Sequence, residues 1–336
     1  MQMILEKEFI NELSLLSLKS DTDADLELFL KEDFTGYHLL CDISSTEEYG
    51  QLCKQNPFFE LLLDKFISIS FDINLKSNIK NESIFAKSAK RTIFFTCLDS
   101  DNSLKLSEKY GHMIISLQDI SKSWEFAQKF REGVQMKVTK SILIKESGRF
   151  DKWSKLTLFS HPFKNLLVFD KYLLKTHTPS DLFTNVIPLI SNLLKSENPQ
   201  YEILITIISE IKIGFALQQY TDQLSRHFHK NIKFNIIRHS KALYPKSLED
   251  LHARYIFTDY ISIIPDNSFT FFKKNGTVSA VTNIRGDFTL CRDNKDFFEK
   301  DCDDLKLYLA KVNNEPNGDE KYKDMYYPHK NIPLLN

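Results

Sequence analysis

At 336 residues, 42% of them apolar and 12% aromatic, the chain is too long for one ordinary core and predicts two domains. Its 44 Lys and Arg nearly match its 45 Asp and Glu, so the formal net charge of -1 excludes a wholesale electrostatic grip on nucleic acid and leaves only a local basic patch. Five scattered cysteines without a CxxC pair exclude a disulfide framework and a zinc knuckle. Reduced thiols in a cytoplasmic protein are therefore expected. Glu6, Lys7 and Glu8 interrupt the first apolar stretch and argue against a signal peptide. No window approaches the ~20 apolar residues of a membrane span.

In chain order, Leu13, Leu16, Leu26, Phe29 and Leu30 suit one or two short amphipathic helices. GYHLLCDIS then reads as a strand that delivers Asp42 at its end, followed by a helix capped at Ser44, Ser45 or Thr46. FISISFDI and RTIFFTCLD read as further strands, and SLKLSEKY as a helix stopped by Gly111. HMIISLQD is again a strand ending in an acid, Asp119, and SKSWEFAQKFREG a helix ending at Gly133. Alternating strands and helices predict an α/β layer structure over residues 1–135, with a mainly parallel sheet. Such sheets bind ligands at the carboxyl ends of their strands, where Asp42, Asp99 and Asp119 fall.

Residues 136–158 read as a linker. From 159 to 300 the alternation returns: strand NLLVFDKYLL, a helix kinked at Pro188, strand YEILITIIS, helix GFALQQYTDQLSRHFHK and strand NIKFNIIRH. SFTFFKK, TVSAVTNIR and DFTLCRD follow as short antiparallel strands, turning at Lys274-Asn275-Gly276 and Arg285-Gly286-Asp287. Residues 301–336 read as a helix, DDLKLYLAK, and a polar tail without packing pattern. The whole is expected as two α/β domains, the second with a mixed sheet.

The stretch LHARYIFTDYISI, Leu251 to Ile263, carries the chemistry. It places His252, Arg254 and Asp259 at the spacing His-x-(Lys/Arg)-x4-Asp, within a run of β-branched and aromatic residues that favours strand. A histidine and a cation two residues apart on a strand share a face and can hold a phosphate between them. Lys241, Lys246, Lys273 and Lys274 could extend a positive patch around them.

With these residues and the strands before them, residues 160–298 resemble a phospholipase D-like domain. The resemblance is closest to the degenerate form at the C-terminus of MIT-domain proteins, which also has bacterial members. ISII, DNSFTFF and Cys291-Arg292 match the elements that follow the motif there. Arg254 replaces the lysine of active members, and Asp266-Asn267 replace their Gly-Ser pair. His239-Ser240-Lys241 is a decoy, because Lys246 stands where the acid should be. The resemblance implies phosphate binding by His252, Arg254, Lys241 and Arg292, with no cofactor and commonly without cleavage. If the domain were active, as a dimer, His252 would attack phosphorus, Arg254 would stabilise charge and Asp259 would orient the histidine.

The N-terminal half is similar to a PIN-type nuclease domain, a three-layer fold. That similarity implies Mg²⁺ or Mn²⁺ held by Asp42, Asp119 and, between them, Asp99 or Asp101. As plain structure, Asp42 and Asp119 would instead be N-cap or loop acids. The expected function is a binding or adaptor subunit of a bacterial defence system. Its partners would be a protein encoded nearby, and nucleic acid or an anionic membrane surface; the alternative is a nuclease.

Overall fold

Short apolar runs of four or five residues set the strands of the N-terminal part, and each is followed by a helix. The computed structural model describes residues 2–17, 37–57, 59–60, 68–88, 91–120, 134–138, 149–175, 178–211, 216–238, 254–279, 282–289, 292–314, 325–326, 332 and 334. The chain divides into two units, Met1–Glu132 with Leu290–Lys295, and Gly133–Thr289 with Asp296–Asn336.

The first unit runs β1 (Gln2–Leu5), α1 (Lys7–Ser17), β2 (His38–Cys41), α2 (Thr46–Gln55), β3 (Ser68–Phe71), α3 (Leu75–Lys80) and α4 (Ser83–Lys87). It continues with β4 (Thr92–Thr96), α5 (Ser100–Tyr110), β5 (Met113–Ser116) and α6 (Leu117–Ile120). Five parallel strands lie in the order β3-β2-β1-β4-β5. Consecutive residues of β4 point to opposite faces. Phe94 meets Phe85 of α4 at 4.7 Å, and Phe95 meets Phe9 of α1 at 5.3 Å. Helices therefore cover both faces, as a buried parallel sheet requires.

The second unit is a mixed sheet of nine strands, in the order β14-β10-β9-β8-β11-β12-β13-β6-β7. They are β6 (Val134–Val138), β7 (Arg149–Phe150), β8 (Asn165–Asp170), β9 (Ile203–Ser209), β10 (Ile232–Arg238), β11 (Arg254–Thr258), β12 (Ile261–Pro265), β13 (Thr282–Phe288) and β14 (Met325–Tyr326). Strands β8, β9 and β10 are parallel, and β11, β12 and β13 form an antiparallel meander beside them. Its helices are α7 (Val186–Leu193), α8 (Leu217–His227) and, from Asp296 on, α9 (Arg292–Asn314). Phe298, Cys302, Leu305, Tyr308 and Leu309 of α9 form one core with Leu167, Phe169, Tyr255 and Phe257 of the sheet.

Several expectations change. The stretch 136–158 supplies β7 and a 3-10 helix, Trp153–Phe159, so its described parts belong to the sheet unit. The C-terminal helix begins at Arg292, ahead of Asp301. Of the tail, Met325 and Tyr326 pair with Ile237 and Ile236, and Ile332 and Leu334 are buried in the α9 core. The extended run Tyr255–Ile263 is a hairpin, since Ile256 pairs with Ile263 and the chain reverses at Asp259-Tyr260. Arg285-Gly286-Asp287 is no turn: it lies inside β13, paired through to β12. Pro188 does not kink a helix either. It sits in the first turn of α7, where its missing N–H costs nothing.

Candidate functional site

The carboxyl ends of β8 and β9 meet the start of β11. Arg254 pairs with Asp170, the last residue of β8, and both therefore project from the same face of the sheet. On the next strand pair, Arg238 closes β10 opposite Ser209, the last residue of β9. Polar and cationic groups thus gather along one edge, the edge at which parallel strands present ligand sites.

Asp170 organises this edge. It is fully buried, and accepts hydrogen bonds from Ser268 Oγ at 2.7 Å, Phe269 N at 2.7 Å and Tyr172 N at 2.9 Å. Burial pushes its carboxyl up, while these donors and the Arg254 charge oppose that shift. Arg254 donates from Nη1 to the Asp266 carbonyl at 3.0 Å, and its guanidinium lies 5.4 Å from the centre of the Tyr172 ring. Such a stacked, hydrogen-bonded guanidinium is pre-set for an anion. An open pocket of about 280 Å³ adjoins it, lined by Tyr172, Arg254, Asn267, Ser268, Thr270 and Phe271, with Ser279 and Thr282. The Ser268 and Thr282 hydroxyls donate to Asp170 and to the Asn283 carbonyl, so the donor groups it offers are the hydroxyls of Tyr172, Thr270 and Ser279, the Asn267 carboxamide and the Arg254 guanidinium.

Tyr172 has more than one cation beside it. Lys171 Nζ and Lys175 Nζ lie 5.3 Å and 5.2 Å from its ring centre. Both are paired to Glu210, which follows β9, at 3.4 Å and 2.8 Å. Burial raises the Glu210 carboxyl, but the hydrogen bond from Lys175 and the charges of both lysines outweigh it and leave it lowered.

Of the motif residues, Arg254 and Asp259 are not brought together. Arg254 starts β11, and Asp259 lies just past its end, next to the first residues of β8. Asp259 is 1% exposed and accepts from Lys164 N at 2.6 Å, Asn165 N at 3.0 Å and Asn165 Nδ2 at 2.8 Å. Its carboxylate anchors the start of β8. His252 and Lys241 lie outside the described residues, as do Lys246 and the side chain of Arg292. Lys273 and Lys274 are exposed, with Lys274 paired to Asp181 at 2.6 Å.

In the first unit, the strand order places the switch point between β1 and β4. Asp42 is there, 7% exposed, accepting from the backbone N–H of Lys7. Beside it is Glu6, 4% exposed, accepting from Cys97 N at 2.6 Å. Burial raises both carboxyls, and the charge of Asp42 adds to the rise at Glu6. Asp99 does not join them in the manner expected. It is the N-cap of α5, with its oxygens taken by Asn102 N at 2.8 Å and Asn102 Nδ2 at 2.6 Å. Asp119 lies within α6, beyond the end of β5, and its side chain is outside the described residues. Among the described residues no three His, Cys, Asp or Glu side chains gather as metal donors, and the side chain of Asp119 is not among them. Nor, among them, is any helix long and apolar enough to cross a membrane.

Sequence reasoning missed Glu6, Asp170, Tyr172, Lys171, Lys175 and Glu210. For Asp170 a signal was present: it ends a buried apolar strand, much as Asp42 directly follows β2. No protein-family model matches the chain, and no curated protein matches it.

Proposed function

We propose that the chain is a binding subunit whose second unit holds a phosphate-bearing ligand in the Arg254 pocket without turning it over. The carrying observation is the placement of Arg254, stacked on Tyr172 and bonded to the Asp266 carbonyl beside the hydroxyls of Thr270 and Ser279. A phosphate oxygen needs fixed donors and a positive charge, and these groups supply both. Two further points favour holding over cleavage. Arginine stands where a phospholipase D-like active site uses lysine, and Asp259 is spent on anchoring β8.

Titration with inorganic phosphate, followed by ³¹P NMR or calorimetry, tests this. Arg254→Ala should weaken affinity about tenfold to hundredfold, because one charge-assisted contact is worth ~1.5–3 kcal/mol. Unchanged affinity in a folded Arg254→Ala protein would refute the reading. Release of product from a phosphodiester probe by the wild-type protein would replace binding with catalysis. As an adaptor, the chain should also co-elute with a partner protein in size-exclusion chromatography.

A further inference from the structure

The pocket accounts for Arg254 but leaves the two lysines flanking Tyr172 unexplained. All three cations lie within 5.4 Å of one ring centre, so no two are farther apart than twice that radius, about 11 Å. Their backbone is held in place. Glu210 N donates to the Lys171 carbonyl at 3.0 Å, and Leu174 N donates to Ser209 Oγ at 2.9 Å, so the turn after β8 is fixed to the end of β9. A similar trio occurs in the first unit, where Lys109 lies 5.2 Å from the Tyr110 ring centre and both side chains bond Glu82. There one lysine meets one carboxylate. At Tyr172 two lysines share one carboxylate, and Arg254 adds a third positive charge.

We propose that Lys171 and Lys175 form a second anion subsite beside the Arg254 pocket, that Glu210 screens it in the free protein, and that a neighbouring phosphate of a single nucleic-acid strand occupies it. This rests on the reading of the Arg254 pocket as a phosphate site. Glu210 serves as an internal stand-in for that second phosphate. Partly exposed lysine–carboxylate pairs contribute little to stability, so an entering phosphate can displace Glu210 at small cost. The ligand class follows from the spread of charge and the ring between. Strand-binding grooves combine cations that track the backbone with aromatic rings among them, whereas a lone phosphate would use only the Arg254 end.

The test compares two probes, inorganic phosphate and a 5′-phosphorylated short oligothymidylate read by fluorescence anisotropy, with melting curves to confirm folding. Lys171→Ala and Lys175→Ala should each weaken the oligonucleotide several-fold, lower its salt slope by about 0.7, and leave inorganic phosphate unaffected. Glu210→Gln should tighten the oligonucleotide, and Lys109→Ala should do nothing. Loss of oligonucleotide binding in Arg254→Ala, with wild-type binding in both lysine variants, would refute the second subsite while keeping the pocket. No response of either probe to Arg254→Ala would remove the pocket reading and the subsite with it. An unchanged Glu210→Gln affinity would refute the screening role. Binding to vesicles containing a phosphoinositide bisphosphate, without binding to the oligonucleotide, would overturn the strand.

Discussion

Asp259 separates a structural from a catalytic reading of the motif. Replacing it with alanine removes the acceptor for three donors: Lys164 N, Asn165 N and Asn165 Nδ2. Asp259 and Asn165 are only 1% and 3% exposed, so water does not readily take its place. An unsatisfied buried donor costs about 1–3 kcal/mol. Three donors with partial relaxation give roughly 3–5 kcal/mol, a large share of the stability of an ordinary domain. Asp259→Asn should cost less, since it keeps one acceptor oxygen but turns an amide toward donors. Urea unfolding read by tryptophan fluorescence, with m-values compared, measures the loss, and phosphate titration of the folded fraction measures binding. The expected result is a lowered midpoint with near-normal phosphate affinity. A folded Asp259→Ala protein that loses under about 1 kcal/mol but no longer binds phosphate would refute the anchoring role.

Two further predictions follow from packing and charge. A Cβ on Gly286 would lie 2.0 Å from Phe159 Cε1, in the middle of β13 and paired on both sides, so Gly286→Ala should destabilise by about 1–3 kcal/mol or more; Phe159→Leu in the same chain should recover part of it, and additive losses would contradict the clash. Asp301 is raised to about 6 by burial and the charge of Asp304, against Lys300 and the Tyr255 hydroxyl. Its folded value lies above its unfolded one, so stability should fall as pH rises from about 4 to about 6, and Asp301→Asn should flatten that part of the profile in thermal melts at stepped pH; an unchanged slope would exclude Asp301 as its source.

Much of the fold was legible wherever a residue's role is local. Ser45 capping α2 and Gly111 in the left-handed region at φ 70 both act within a few residues of themselves. The α/β alternation was visible for the same reason. Strand β1 escaped because Gln2–Leu5 holds only three apolar residues, Met3 to Leu5, leading directly into a helix, and so short a run has no period to detect. Missing β1 also hid Glu6, whose meaning comes only from following the central strand of its sheet. In β13 the glycine signalled a turn, yet Gly286 serves close packing: its missing side chain makes room for the Phe159 ring.

The candidate site divides along the same line. Arg254 was found because the motif marks it, but the anchoring of β8 by Asp259 was hidden because its partners lie 94 and 95 residues away in sequence. Nothing in a strand-by-strand reading says that β8 lies between β9 and β11, and this order alone brings Lys171, Tyr172, Glu210 and Arg254 to one edge. The motif therefore supplies one charge, and the sheet supplies its neighbours. If phosphate recognition here depends on that assembled edge, affinity should track the residues that fix it as closely as the motif itself. Asp170 is the clearest case, since its carboxylate pins Ser268, Phe269 and Tyr172 around Arg254 without lining the pocket.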